Sequence, residues 1–183
     1  MPTLYRVFPY LKTATAGDPG GGLYIPSQGG GRIDNPGVYS VLNLSDAAAG
    51  AIAEAFGRIP EWTSALLAGN PGLPGSVAAV ARYRLPEPAR VCNLDDPKQL
   101  LALGLRPSEV VTRDYDRSRA WARRIHDEGG WAGVRWWSYY DSKWSSCGLW
   151  DIRRLTLEEI APLALSDSAL VEASRTIVRR IVV

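Results

Sequence analysis

The chain has 183 residues, 46% apolar and 22% charged, with 18 glycines and 13 prolines. That is long enough for one domain with a real core, too apolar for a disordered chain and too rich in turn formers for a helical bundle. A formal net charge of +2, one histidine (His126) and two cysteines (Cys92, Cys147) give no mark of a nucleic-acid or membrane binder. They also leave no paired ligands for a zinc site and no disulfide framework.

No apolar run or cleavage signal follows Met1, so a single domain over residues 1–183 in the cytoplasm is expected. Leu4–Phe8 is rich in strand formers and reads as a strand. Residues 13–37 read as a long loop with two glycine triplets, Gly20–Gly22 and Gly29–Gly31. A loop of that length is usually functional or mobile. Val38–Leu44 reads as a strand, followed by a helix capped by Ser45 and stopped by Gly57. Pro60–Ala68 predicts a short helix; Ser76–Leu85 and Arg90–Leu94 predict strands. Asp96 is placed to cap a helix over Pro97–Leu103. The spacing of Trp121 and Ile125 predicts an amphipathic helix over Asp116–Asp127. Ala132–Tyr139 and Gly148–Ile152 read as strands, and Leu170, Ser174, Ile177, Val178 and Ile181 line a C-terminal helix capped by Asp167. Strands and helices without regular alternation predict a mixed α+β fold, not a doubly wound sheet.

Three segments hold residues at odds with their surroundings. Glu54 is the lone charge in an alanine-rich helical stretch. Either the helix is buried and the carboxylate needs a cation or several donors, or Glu54 faces solvent on a surface helix. Arg6 lies between apolar residues of the first strand, and Arg32 follows a glycine triplet. Glycines there let backbone amides approach an anion and arginine add a bidentate contact, although a glycine-rich loop also suits a plain surface turn. Trp131–Trp150 holds five of the seven tryptophans. Such rings stack a nucleobase or a nicotinamide, or fill a core sheet.

In this order the segments resemble the RES domain family, named for an arginine, a glutamate and a serine. Tyr5-Arg6 matches its first strand, and Gly31-Arg32-Ile33-Asp34-Asn35-Pro36-Gly37 its loop. Val38–Ser45 matches a tyrosine-containing strand, Ala53-Glu54-Ala55-Phe56 carries the glutamate, and Gly133–Ser138 the late serine. Ile33 and Asp34 intervene where the family has tryptophan, and Trp137 replaces a proline before Ser138.

The resemblance implies a fold like the ADP-ribosyltransferase core, with mixed or antiparallel sheets and flanking helices. It implies cleavage of NAD, as substrate, at the nicotinamide–ribose bond, with inorganic phosphate as co-substrate and no metal. Glu54, Arg6 and Ser138 are then catalytic, and Arg6, Arg32, Tyr39 and Ser138 bind the dinucleotide, with Tyr39 stacked on nicotinamide. It also implies a helix-turn-helix antitoxin as partner, with neither nucleic acid nor membrane bound directly. Protein ADP-ribosylation and hydrolysis of NAD are the enzymatic alternatives. A partner-binding module with a degenerate site is the non-enzymatic one.

Overall fold

The computed structural model describes residues 2–87 and 89–182. Strand β1 (Thr3–Tyr10) joins what become the two halves of a seven-stranded sheet. On one side lies β2 (Leu42–Ser45), which meets β1 only at Tyr5–Ser45. On the other lies β4 (Val77–Arg84), paired antiparallel with β1 along its whole length, from Thr3–Arg84 to Tyr10–Val77. A two-residue strand between them in sequence, β3 (Glu61–Trp62), belongs to a separate small sheet. Beyond β2 the sheet continues through β7 (Ser145–Leu149) and then β6 (Gly133–Trp137), each antiparallel to the strand before it. It ends at β5 (Val91–Asn93), parallel to β6. The opposite edge is β8 (Thr156–Pro162) against β4, and the C-terminal β9 (Arg180–Ile181) runs parallel to β3.

Among the described residues, five α-helices flank the strands: α1 (Ala48–Phe56), α2 (Pro97–Ala102), α3 (Pro107–Val110), α4 (Tyr115–Asp127) and α5 (Ser168–Thr176). The amphipathic pattern of α4 packs Trp121 and Ile125 with Val134 and Trp136 of β6 into one apolar cluster. Trp121 is buried and its ring N–H donates to Glu109 O at 3.0 Å, so truncating it to alanine costs about 3–5 kcal/mol. A second cluster fills the space around β1, β2 and β4, and a third joins α1, α5 and Trp62. No helix is long and apolar enough to cross a membrane among the described residues.

The mixed α+β architecture with flanking helices agrees with the sequence, but several boundaries move. Ser45 does not cap α1; its hydroxyl donates to Ser145 O at 3.1 Å, and the helix begins at Ala48. Asp46 likewise turns away from the helix start to accept from Ser145 N at 2.8 Å and from Arg135 at 2.9 Å. The segment 60–68 is no α-helix but β3 and a 3-10 turn over Ser64–Leu67. Fully buried Trp62 is held there by pairing with Ile181 of β9 and by the residue after it, Val182, whose N–H donates to Trp62 O at 2.9 Å. The C-terminal helix stops at Thr176 for the same reason: Arg180 and Ile181 are drawn into that strand pair.

Candidate active site

Helix α1 buries Ala49 to Ala53 and turns Glu54 out of the core. Each of the two sequence readings holds in part: the helix is buried and its carboxylate takes hydroxyl donors, yet Glu54 faces solvent, in a cleft. Glu54 lines that cleft with Arg6 and Arg32. Ser138, just past β6, lies beneath the carboxylate and is 4% exposed. Its hydroxyl donates to Glu54 Oε1 at 2.7 Å and accepts from Tyr140 N at 3.2 Å. Ser146 of β7 adds a second hydroxyl to the same oxygen at 3.3 Å. Oε2 accepts no hydrogen bond among the described residues, so one oxygen is anchored and the other presented.

The cleft exists because β1 and β2 part company. Below their single paired position, backbone and side chains of Tyr5–Val7 and Asn43–Ser45 form opposing walls of a space of about 370 Å³. A second lobe of about 670 Å³ adjoins it and shares Arg32, Glu54, Arg58 and Tyr139. Among the described residues, the lobes together are lined by five arginines (Arg6, Arg32, Arg58, Arg113 and Arg179) and a single carboxylate, Glu54. Converging guanidinium groups around one acid make a strongly positive cavity, suited to a polyanion.

The two expected arginines are tethered by backbone carbonyls. Arg6 donates to Tyr24 O at 2.8 Å and Gly22 O at 3.3 Å, tying the long loop to β1. Burial lowers its pKa, opposed by the nearby Tyr83 phenol. Arg32 donates to Val110 O at 3.0 Å and also reaches Thr112 O, while its guanidinium lies 5.5 Å from the Tyr115 ring centre. Burial lowers its pKa too, against the pull of Tyr115 and Glu54. Neither group loses its charge, since guanidinium stays protonated in proteins.

The glycine-rich loop does not offer the amides of Gly29 and Gly31 to a ligand as the sequence suggests. Gly29 N and Gly31 N both donate to Asp34 Oδ2, at 2.9 and 2.7 Å. A Cβ on Gly31 would come within 2.6 Å of that carboxylate, so glycine is required by close approach. Arg119 of α4 grips the loop from the other side, donating to Gly31 O at 3.1 Å and Gly29 O at 2.7 Å. Tyr39 is not brought to the cleft. Its hydroxyl donates to Ile33 O at 2.9 Å, and its ring packs against His126 and Trp150, with centroids 4.6 and 5.2 Å away. The aromatic rings that do line the space are those of Tyr5, Tyr115, Trp136 and Tyr139 in the first lobe. Tyr139 is 57% exposed and stands at the mouth.

Sequence reasoning missed Arg58, Arg113, Arg179, Tyr115 and Ser146. Arg58 alone carried a signal, four residues after Glu54. Arg113 and Arg179 lie in connecting segments, Tyr115 at the start of α4 and Ser146 in β7, and only the folded topology brings them together.

A model of the RES domain matches residues 3–164. Comparison with curated proteins finds no match. Among solved structures, the chain is similar to one in the crystal structure of the M. tuberculosis MbcT–MbcA toxin–antitoxin complex. The TM-score is 0.61 at 18% identity, covering 88% of this chain and 84% of that one. At that identity the likeness is one of fold.

Proposed function

This chain belongs to the RES domain family, and on that footing we propose that it cleaves NAD at the nicotinamide–ribose bond, passing ADP-ribose to inorganic phosphate. The observation that carries the reading is Glu54: the one carboxylate in a cleft of arginines, with one oxygen anchored by two serines and the other open.

Arg6 and Arg32 would take the pyrophosphate, whose charge matches paired guanidinium donors. The ribose beside the nicotinamide then lies against Glu54. As the bond from C1′ to the pyridinium nitrogen breaks, its electron pair returns to that nitrogen and neutralises the leaving group, so no general acid is needed. Positive charge grows on the ribose as an oxocarbenium, as in glycoside cleavage. Glu54 Oε2 faces that charge and accepts from the ribose hydroxyls. Ser138 keeps the acid aimed, and a phosphate oxygen forms the new bond to C1′. Arg58, and Arg113 beside the Tyr139 hydroxyl to which it donates at 3.4 Å, would steer that phosphate through the second lobe. Tyr39 would serve at one remove, fixing Ile33 and through it the direction of Arg32. Tyr139 is the ring placed to meet nicotinamide.

Water and a protein nucleophile suit the same oxocarbenium, so the product decides the acceptor. Incubation of pure protein with NAD, with and without phosphate, followed by mass measurement, tests the reading. ADP-ribose 1″-phosphate is expected only when phosphate is present. Free ADP-ribose, or a mass gain of one ADP-ribose on protein, would replace phosphorolysis by hydrolysis or protein modification. Intact NAD would remove the enzymatic reading. Because the similar fold comes from a toxin–antitoxin complex, a helix-turn-helix antitoxin is the partner class we propose. Its hallmark would be relief of growth arrest on co-expression with the adjacent reading frame.

A further inference from the structure

Helix α5 closes on a residue that should not be there. Val178 has φ 55°, the only non-glycine residue in the left-handed region among the described residues. Its N–H donates to Arg175 O at 3.4 Å and the next, Arg179 N, to Ser174 O at 2.7 Å. That pair of bonds ends a helix on a left-handed residue, a position where glycine escapes the steric penalty of a Cβ. A β-branched side chain there is strained, and at 85% exposure no packing compensates it. The compensation must lie on either side of Val178. On one side is α5. On the other are the β9–β3 pair and Arg179.

Arg179 points back across the chain to the end of α1. Its Nε and Nη2 donate to Gly57 O at 2.9 and 2.6 Å, and its Nη1 to Ile177 O and Val178 O at 3.1 and 3.3 Å. Gly57 ends the helix three residues after Glu54, and its N–H donates to Ala53 O at 2.7 Å. It is tightly seated: a Cβ would come within 2.4 Å of both Ala53 O and the Tyr140 ring. Tyr140 in turn supplies the N–H that holds the Ser138 hydroxyl on Glu54. The last turn of α1 is therefore gripped twice, by Tyr140 and Ser138 from the sheet and by Arg179 from the C-terminal segment. A cation also belongs at a helix C-terminus, where carbonyls lack partners. The grip lies beyond residues 3–164, the part that matches the family.

We infer that Arg179 is a positioning residue for Glu54: the strained turn at Val178 aims its guanidinium at Gly57 O, which fixes the last turn of α1 and so the direction in which the carboxylate faces the cleft. This rests on the reading of Glu54 as the group that acts on NAD. Misplacement by about 1 Å can cost about a hundredfold in rate.

The test is Arg179→Ala in the full chain, assayed for NAD turnover and for hydrogen exchange of the amides of residues 54–59. The expected result is a roughly 10- to 100-fold lower kcat with KM within about threefold, faster exchange confined to that turn, and partial rescue by millimolar guanidinium. Val178→Gly keeps Arg179 and adopts the same φ freely, so it should raise Tm and leave kcat within about twofold. Arg179→Lys, with a single nitrogen in place of the planar fork, should fall between wild type and alanine and carries the test if the alanine variant does not fold. Unchanged kcat overturns the inference, as does a rise in KM alone, which would mean direct contact with the substrate. Exchange that rises throughout the chain, with no rescue, also overturns it. If the wild type leaves NAD intact, the NAD reading fails by itself. Exchange then decides: local loosening at residues 54–59 sustains the positioning role, and none removes it.

Discussion

Replacing Glu54 by glutamine isolates charge from shape. Glutamine Oε1 can accept both serine hydroxyls that now bind Glu54 Oε1, at 2.7 and 3.3 Å, and its amide group falls where Oε2 accepts nothing among the described residues. The fold should therefore be unmoved. What is lost is the attraction between a carboxylate and a developing ribose cation. At about 4 Å that attraction is about 1 kcal/mol in water and about 4 kcal/mol at the effective dielectric of a protein surface. Glu54 stands at a cleft wall, exposed yet flanked by protein, so the loss lies between those limits. About 2.7 kcal/mol, or a hundredfold in kcat, is expected, of the size seen when one transition-state contact is removed. KM for NAD should change less than kcat, because the ground-state positive charge sits on the pyridinium ring and reaches the ribose only in the transition state. Steady-state kinetics with nicotinamide release as readout, alongside Tm, measures both. A loss below threefold, or a loss confined to KM, refutes the assignment of Glu54 to the oxocarbenium.

Ser138→Ala should be milder, because Ser146 still holds Glu54 Oε1. A hydrogen bond to a charged group contributes about 1.5–3 kcal/mol, of which Ser146 keeps part, so about a tenfold fall in kcat at constant KM is expected; a loss larger than that of Glu54→Gln would mean that Ser138 acts on substrate directly. Arg6→Ala leaves Tyr24 O without its donor, while Gly22 O keeps the Tyr83 hydroxyl, so it should lower stability by about 1–3 kcal/mol in denaturant titration as well as raising KM for NAD. A raised KM with an unshifted denaturation midpoint would show that the loop tether is idle. Cys92 and Cys147 are buried free thiols whose pKa values burial pushes up from 9.0 to about 11 and about 12. Both should resist alkylation at pH 8 until the chain is unfolded. The unfolded thiols lose protons near pH 9 while the folded ones keep theirs, so stability is full below pH 9 and falls as pH rises from 9 to 12. The slope is about 1.4 kcal/mol per pH unit for each thiol while only the unfolded form is ionised. Flat stability from pH 8 to 11 would contradict this.

The site was legible in the sequence where a charge sat against its local pattern. Arg6 in an apolar strand and Glu54 in an alanine helix both reach the cleft, and Arg32 after its glycines does too. The surrounding cations were not. Arg113 and Arg179 lie in stretches where several arginines look like ordinary surface charge, and they reach the cleft only because the α3–α4 turn and the β9–β3 pair carry them there. Tyr39 shows the opposite limit. It stands four residues from Asn35 in a recognisable motif, yet Asn35 Nδ2 and Ile33 O claim its hydroxyl and turn the ring towards α4. For the fold, period-2 and helical patterns placed β1, β4 and α4. The edge strand β8 escaped notice because Thr-Leu-Glu-Glu-Ile lacks clean alternation; its glutamates are spent on Arg82 and Arg84 of β4. Charge on an edge strand protects it from pairing with another chain, and the same charge hides the strand from a hydrophobicity pattern.

The position of Asp34 explains why the burden of anion recognition falls on side chains. A glycine-rich turn can bind phosphate through its own amides, but here those of Gly29 and Gly31 are satisfied by an internal carboxylate that is 5% exposed. Asp34 occupies the place of an external anion and sets the loop before any ligand arrives. Ser118 extends the same clamp by donating to Arg32 O at 2.7 Å. The loop therefore gives shape, and Arg32, projecting from it, gives charge. Arg6 fixes the loop's other end through carbonyls. A ligand entering such a cleft spends little of its binding free energy on ordering the protein, because both tethers are already made. The positive charge that attracts it is carried by partly exposed guanidinium groups in the second lobe, where ionic strength screens it over about 8–10 Å. Preformed geometry and salt-sensitive attraction are thus separable in this molecule: the first resides in Asp34, Arg119 and Ser118, the second in Arg58 and Arg113.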